Sequence, residues 1–248
     1  MDRIIKTTLC ILILILIGFV AIISYGITVE QQYKDSFAGT YNYTCTITTD
    51  GVISNVTFFL PVPSESKGNS PLDGPISAQQ VSGLPADWTV TLFDAGKTTL
   101  VKVSAPKVGE PAANGTVHTR SVTLTVNGAT RTPIDTASPL ENAAVFRPVQ
   151  DLRKVDCPAT AATVGDTPKC YQYLTSTYAD YTSSPMASVT ISATLDATNS
   201  WTVFQQPAAN SYQNTLYVLM QGENHGWVTT RGELESGIGT YQVPGLTP

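Results

Sequence analysis

Apolar and polar residues follow two regimes along this chain. Residues 9–25 form an almost unbroken apolar run, and no comparable run follows. From Tyr41 onward, apolar residues instead recur at every second position, in short runs separated by turn-forming residues. The first regime predicts a helix near the roughly 20 residues needed to cross a hydrocarbon core of about 30 Å. The second predicts β-strands that bury one face.

Charge sets the expected topology of the first segment. Arg3 and Lys6 precede the run, while Glu30, Lys34 and Asp35 follow it. The bias of basic residues toward the cytoplasmic side predicts a single-pass anchor with a cytoplasmic N-terminus and an extracytoplasmic C-terminal bulk. Cleavage of a signal peptide after Gly26 is the alternative. The apolar run is longer than the roughly 7–15 residues of a usual signal-peptide core. The expected organisation is a stub and transmembrane anchor over 1–26, a stalk over 27–38, a β domain over 39–243 and a tail over 244–248. Glu30 and Lys34 stand i,i+4 in the favourable order, so the helix is expected to continue into the stalk. An irregular linker is the competing reading.

The alternating runs can be placed in register. Over 41–48, Tyr41, Tyr43, Cys45 and Ile47 share one face; over 54–60, Val56, Phe58 and Leu60 do the same, with Asn55, Thr57 and Phe59 opposite. Asp50-Gly51 between them is a favoured two-residue hairpin turn. It would set Cys45 against Val56 and bring Asn42 and Asn55 onto one polar face. A second hairpin is expected over 88–93 and 98–104, with Trp88, Val90 and Leu92 facing Val103, Val101 and Thr99. Further strands are read at 117–126, where Asn127-Gly128 ends the run, and at 171–181, 188–195, 201–204, 215–220 and 227–234. Residues 129–169 carry little pattern and read as a long connection. Nine or ten strands without intervening helices predict an all-β antiparallel β-sandwich, as one unit or two small ones.

Composition narrows the partners. The chain totals are 14 basic and 19 acidic residues; without Arg3, Lys6 and Asp2 the part from Ile27 onward keeps 12 and 18, a net charge near −6. That balance argues against nucleic acid or an anionic surface, which need basic patches. Asn42, Asn55 and Asn114 each open an Asn-X-Ser/Thr sequon, usable after export. Cys157 and Cys170 bracket a loop without large apolar residues, and a disulfide is expected there. In the chain-entropy model a loop of this size gains about 3 kcal/mol from closure. Cys45 falls on a buried face, and Cys10 lies within the apolar helix.

The search for chemistry yields little. The sequence has no nucleophile-elbow, zinc-protease, phosphate-loop, dinucleotide or EF-hand signature, so no catalytic, metal or cofactor residue is assigned. His118 and His225 read as surface histidines. Glu233 and Glu235, with Glu223 and His225 nearby in sequence, make either a weak oxygen-ligand cation site or an acidic edge strand that resists edge pairing. Tyr171, Tyr173, Tyr178 and Tyr181 would stack on sugar rings if exposed, and are ordinary packing if buried.

The basic stub and single span, the hairpin region YNYTCTITTDGVISNVTFFLPVP, the stretch from Cys157 into CYQY and the terminal GENHGWVTTRGELESGIGTY together resemble uncharacterised membrane-anchored surface proteins of archaea, especially methanogens. The resemblance implies location and no mechanism. The expected function is that of a membrane-tethered envelope protein, a structural or adhesive module. Its partners would be the lipid bilayer and either other envelope proteins or surface glycans. The alternatives are a surface carbohydrate-active hydrolase and a filament subunit.

Overall fold

The computed structural model describes residues 2–96, 99–109, 119–158 and 168–242. Asn114, His118, the interior of the 157–170 loop and the tail lie outside the described residues. Helix α1 (Asp2–Ser36) begins the chain. Ile5 through Ile27 present their large apolar side chains to the surroundings, and this helix is long and apolar enough to cross a membrane. Beyond it the helix docks. Val29 is fully buried and, with Tyr33, packs on Trp201, Val203 and Ala208. Ser36 and Gln32 hydrogen-bond the backbone of Thr202 and Phe204. The polar continuation is therefore helical and joined to the β domain along its side; it is not a free stalk.

Eleven strands and two short helices follow: β1 (Ala38–Thr49), β2 (Ile53–Pro61), α2 (Asp73–Ser77), β3 (Val81–Ser82), β4 (Thr89–Asp94), β5 (Thr99–Val108), β6 (Arg120–Thr130), α3 (Pro139–Asn142), β7 (Gln150–Val155), β8 (Lys169–Ser183), β9 (Ser188–Val203), β10 (Gln206–Gln221) and β11 (Asn224–Gly239). All belong to one antiparallel sheet ordered β3-β6-β1-β9-β10-β11-β8-β2-β5-β4, with β7 added on β8. The sheet curls until its ends approach, close to a barrel. Around α2, Gln79 donates to the Val90 carbonyl of β4, while Val81 pairs with Val126 of β6. The inward face of every long strand contributes to one hydrophobic cluster, beside the smaller one that Trp201 and Val203 form with Val29.

The face assignments hold in β1 and β2: Tyr41, Tyr43, Cys45, Ile47, Val56, Phe58 and Leu60 are all buried. Their pairing does not hold. β1 lies between β6 and β9, and β2 between β5 and β8, so the two strands are not neighbours. Cys45 faces Leu124 and Ala193, and Val56 faces Ala105. Alternation fixes which side a residue takes, and it cannot choose among partners of the same pattern. Asn42 and Asn55 are both exposed, but on strands that lie apart in the sheet rather than side by side, with Asn55 at a positive φ of 56° beside a bulge. Burial pushes the Cys45 thiol up to about 12, which leaves it unreactive as a thiolate.

At 50–51 the chain crosses between strands that are not neighbours, as it does again at 184–187 between β8 and β9. Neither Asp50 nor Gly51 has the positive φ that a type I′ turn demands. The Asp50 carboxylate instead ties the two crossings together. It accepts the Ser188 N–H and hydroxyl, both at 2.6 Å. Those bonds, the hydroxyl first, hold its carboxyl below the usual carboxylate range. A depressed folded pKa contributes stability above the unfolded value near 3.9, and that stability is lost as pH falls through the folded value. Asp50→Asn should therefore lower the melting temperature at pH 7 and flatten its fall between about pH 5 and pH 2. An unchanged acid limb in thermal melts would mean that this carboxylate does not clasp the crossings.

Other differences have simple causes. The second hairpin forms, with Val90 facing Val103 and Leu92 facing Val101, two residues from the expected register; an even slip keeps the faces. β6 runs past Asn127-Gly128 to Thr130, since Gly128 lies against the Pro71 carbonyl without breaking the ladder. The runs at 201–204 and 215–220 are parts of the long β9–β10 hairpin.

The patternless 129–169 region holds α3, β7 and a segment inserted into the interior: Ala143, Ala144, Val145 and Phe146 are buried. Its backbone is satisfied by side chains from the strands. Phe146 N–H donates to Asn214 Oδ1, and Tyr212 donates to the Ala144 carbonyl. Asn199 takes both the N–H and the carbonyl of Ile134. Cys157 and Cys170 are joined by a disulfide, and Cys45 is free and buried.

Candidate functional site

Outward positions of a strand are usually polar, so large apolar side chains there call for explanation. On the layer formed by β11, β8, β2, β5 and β4, four aromatic side chains stand on the outer face in one row. Register places Trp227 opposite Tyr178, and Tyr178 opposite Phe59. Phe93 of β4 completes the row. Ring centroids are 5.5 Å apart for Tyr178 and Trp227, 5.4 Å for Phe59 and Tyr178, and 4.8 Å for Phe59 and Phe93. Trp227 is 62 % exposed and Phe93 45 %. Lys102, from β5, reaches over the Phe59 ring at 5.9 Å.

Successive rings are tilted by 61° to 74°, edge to face. This geometry satisfies the ring quadrupoles and ties the rings to one another. It also means that the row is corrugated rather than flat, which suits a single chain laid along it better than a planar crystalline surface.

The row is flanked on both sides. One register step along the strands runs a polar row: His225 opposite Asp180, Asp180 opposite Thr57, Thr57 opposite Ser104, and Ser104 opposite Thr89. His225 Nδ1 and Asp180 Oδ1 are 2.7 Å apart, and Glu223 lies 4.0 Å from Nε2. On the other side is a concavity of about 270 Å³ among Pro61, Leu100, Arg147, Val149, Ser176 and Trp227. The Arg147 guanidinium closes it from within by donating to the Leu140 and Ala143 carbonyls, and burial lowers its pKa. Aromatic faces beside a line of hydroxyl, imidazole and carboxylate groups match ligands that are apolar on their ring faces and polar at their rims.

The residues singled out from sequence fall into place unevenly. Of the four tyrosines, Tyr173 and Tyr181 are buried, Tyr171 packs against the core and Tyr178 joins the row. Glu233 and Glu235 lie on β11, which is interior to the sheet rather than an edge, so they do not guard an edge. Glu233 is paired with Arg231 at 2.9 Å and accepts from Gln172. Among the described residues no group of three or more His, Cys, Asp or Glu side chains is placed to hold a metal. Phe93 and Trp227 were missed as surface residues. The signal was present, since an aromatic side chain at an outward parity position, as Phe59 is, departs from the polar pattern of its face.

Comparison with family models, curated proteins and solved structures yields no match.

Proposed function

We propose that this protein is a membrane-tethered envelope module that binds surface glycan chains without altering them. Arg3 and Lys6 would keep the N-terminus cytoplasmic, and the β domain would stand outside, in keeping with archaeal-type surface proteins. The sequons at Asn42 and Asn55 would then be open to modification. The observation that carries the reading is the outer-face row of Phe93, Phe59, Tyr178 and Trp227 beside the hydroxyl-bearing polar row. Apolar ring faces of the glycan would lie on the aromatic rings, and its hydroxyls would meet His225, Asp180 and Thr57. The negative net charge of the domain favours neutral glycans over acidic ones.

The test is binding of the detergent-solubilised full chain to a panel of neutral and acidic polysaccharides, by affinity electrophoresis. Trp227→Ala should weaken retention by a neutral glycan about tenfold, equivalent to about 1.4 kcal/mol. The same change should cost only about 1 kcal/mol of stability, from the lost contact with Tyr178. Tyr217→Ala, at an exposed ring on β10 outside the row, should bind like the wild type. Retention that survives loss of Trp227, or retention by acidic glycans alone, would sink the proposal.

A further inference from the structure

The β9–β10 hairpin runs down the side of α1 toward the apolar part of that helix. The contacts step in order: Ser36 meets Thr202, Gln32 meets the Phe204 N–H at 2.7 Å, and Tyr25 stacks on the Phe204 ring at 5.4 Å. From Ser36 to Tyr25 the helix descends about 16 Å. The tip thus reaches the level of Tyr25, the last aromatic residue of the apolar run. The first charged residue beyond it, Glu30, stands about 7 Å further along the axis.

The chemistry of the tip fits that level. Phe204 and Gln205 both take positive φ, 48° and 64°, a conformation that Asn or Gly adopts at less cost than an aromatic residue. Phe204 nevertheless occupies the position and stays 44 % exposed. No charged residue occurs between Asp196 and Glu223, so the whole β10 strand and the descending end of β9 are uncharged. Aromatic residues concentrate at the level of lipid headgroups, where one face is apolar and the other wet.

We infer that the β9–β10 tip is a second membrane contact: Phe204 seats in the interfacial layer of the bilayer beside Tyr25, so that the β domain stands on the membrane in one fixed orientation. The occupant is lipid, because the tip is continuous with the apolar surface of α1. The inference rests on α1 being a membrane span, and the experiment separates the two.

Full-length protein with Cys10→Ala, which leaves buried Cys45 and the disulfide in place, is reconstituted in liposomes of neutral phospholipid. Single nitroxide labels are attached after Leu16→Cys, Phe204→Cys or Thr229→Cys. Power-saturation EPR then compares collision with oxygen and with a water-soluble nickel chelate. The label at 16 should meet oxygen only, and the label at 229 should meet nickel freely. The label at 204 should show nickel access several-fold below that at 229, with oxygen access raised. Nickel access at 204 equal to that at 229, with 16 still shielded, overturns the seat and leaves the span intact. Nickel access at 16 overturns both. Shielding at 204 that disappears as protein is diluted in lipid means that a second copy covers the tip, and also overturns the inference.

Discussion

Asn214→Ala should destabilise the β domain by about 3–5 kcal/mol, because each buried group left without a partner costs roughly 1–3 kcal/mol. The side chain is fully buried, with both amide hydrogens and the carbonyl oxygen hydrogen-bonded. Its carbonyl accepts the Phe146 N–H, and its amide donates to the Tyr173 hydroxyl and the Glu233 carbonyl, each at 2.8 Å. Alanine would strand these groups at once and release the inserted segment, whose Phe146 ring packs edge to face on Tyr43. For a domain of this size the expected fall in melting temperature is on the order of 10 °C. The neighbouring Gln213→Ala removes an exposed side chain bonded to Asp196 and should shift melting by little. Chemical denaturation of both variants decides the matter. A loss below about 1 kcal/mol for Asn214→Ala would show that the segment is held without this side chain, by packing and by the bonds from Tyr212 and Ser64.

Val56→Asp is the second large effect. Val56 is 2 % exposed in the common core and faces Ala105 across β5. A carboxylate there has no partner and must be neutralised or hydrated at a cost of several kcal/mol. Thr57→Val, one position on, changes an outward residue lying between Ser104 and Asp180 and should alter stability by about 0.5 kcal/mol or less. It also removes the Asn55 sequon, so both variants are to be compared as unglycosylated protein. Greater damage from Thr57→Val than from Val56→Asp would reverse the faces of β2 and displace Phe59 from the outer row.

The contrast between Val56 as a face assignment and Val56 as a pairing assignment marks what was legible in the sequence. Side-chain alternation is local, and it located the buried face of β1 and β2 without error. Neighbour choice depends on contacts far along the chain, and Ala105 and Ala193 serve as partners no worse than the residues across a short turn. The inserted segment was illegible for a related reason. Its backbone is satisfied by Asn214, Tyr212 and the Ser64 backbone, and Asn214, like Asn199 at Ile134, lies just outside the strands that alternation marked out. The aromatic row was half legible: Phe59 was assigned outward, but only register aligns it with Tyr178 and Trp227, and only the packed rings bring Phe93, two residues out of that register, against it.

The place of β1 in the sheet also governs when the domain can form. β1 pairs on one side with β6 and on the other with β9, so Thr49 meets Val189 some 140 residues later. A ribosome adding about 5–20 residues per second delivers that partner roughly 7–28 s after β1 emerges. For the first half of this interval a strand carrying Tyr41, Tyr43, Cys45 and Ile47 has neither of its partners, and until β9 arrives it has β6 alone; contacts this distant in sequence form late in any case. Maturation is thus a race between completing the chain and aggregation of an unpaired apolar strand. The α1 helix, to which β1 is joined at Phe37, is complete before β1 and then packs on β9, the later of the two partners to be made.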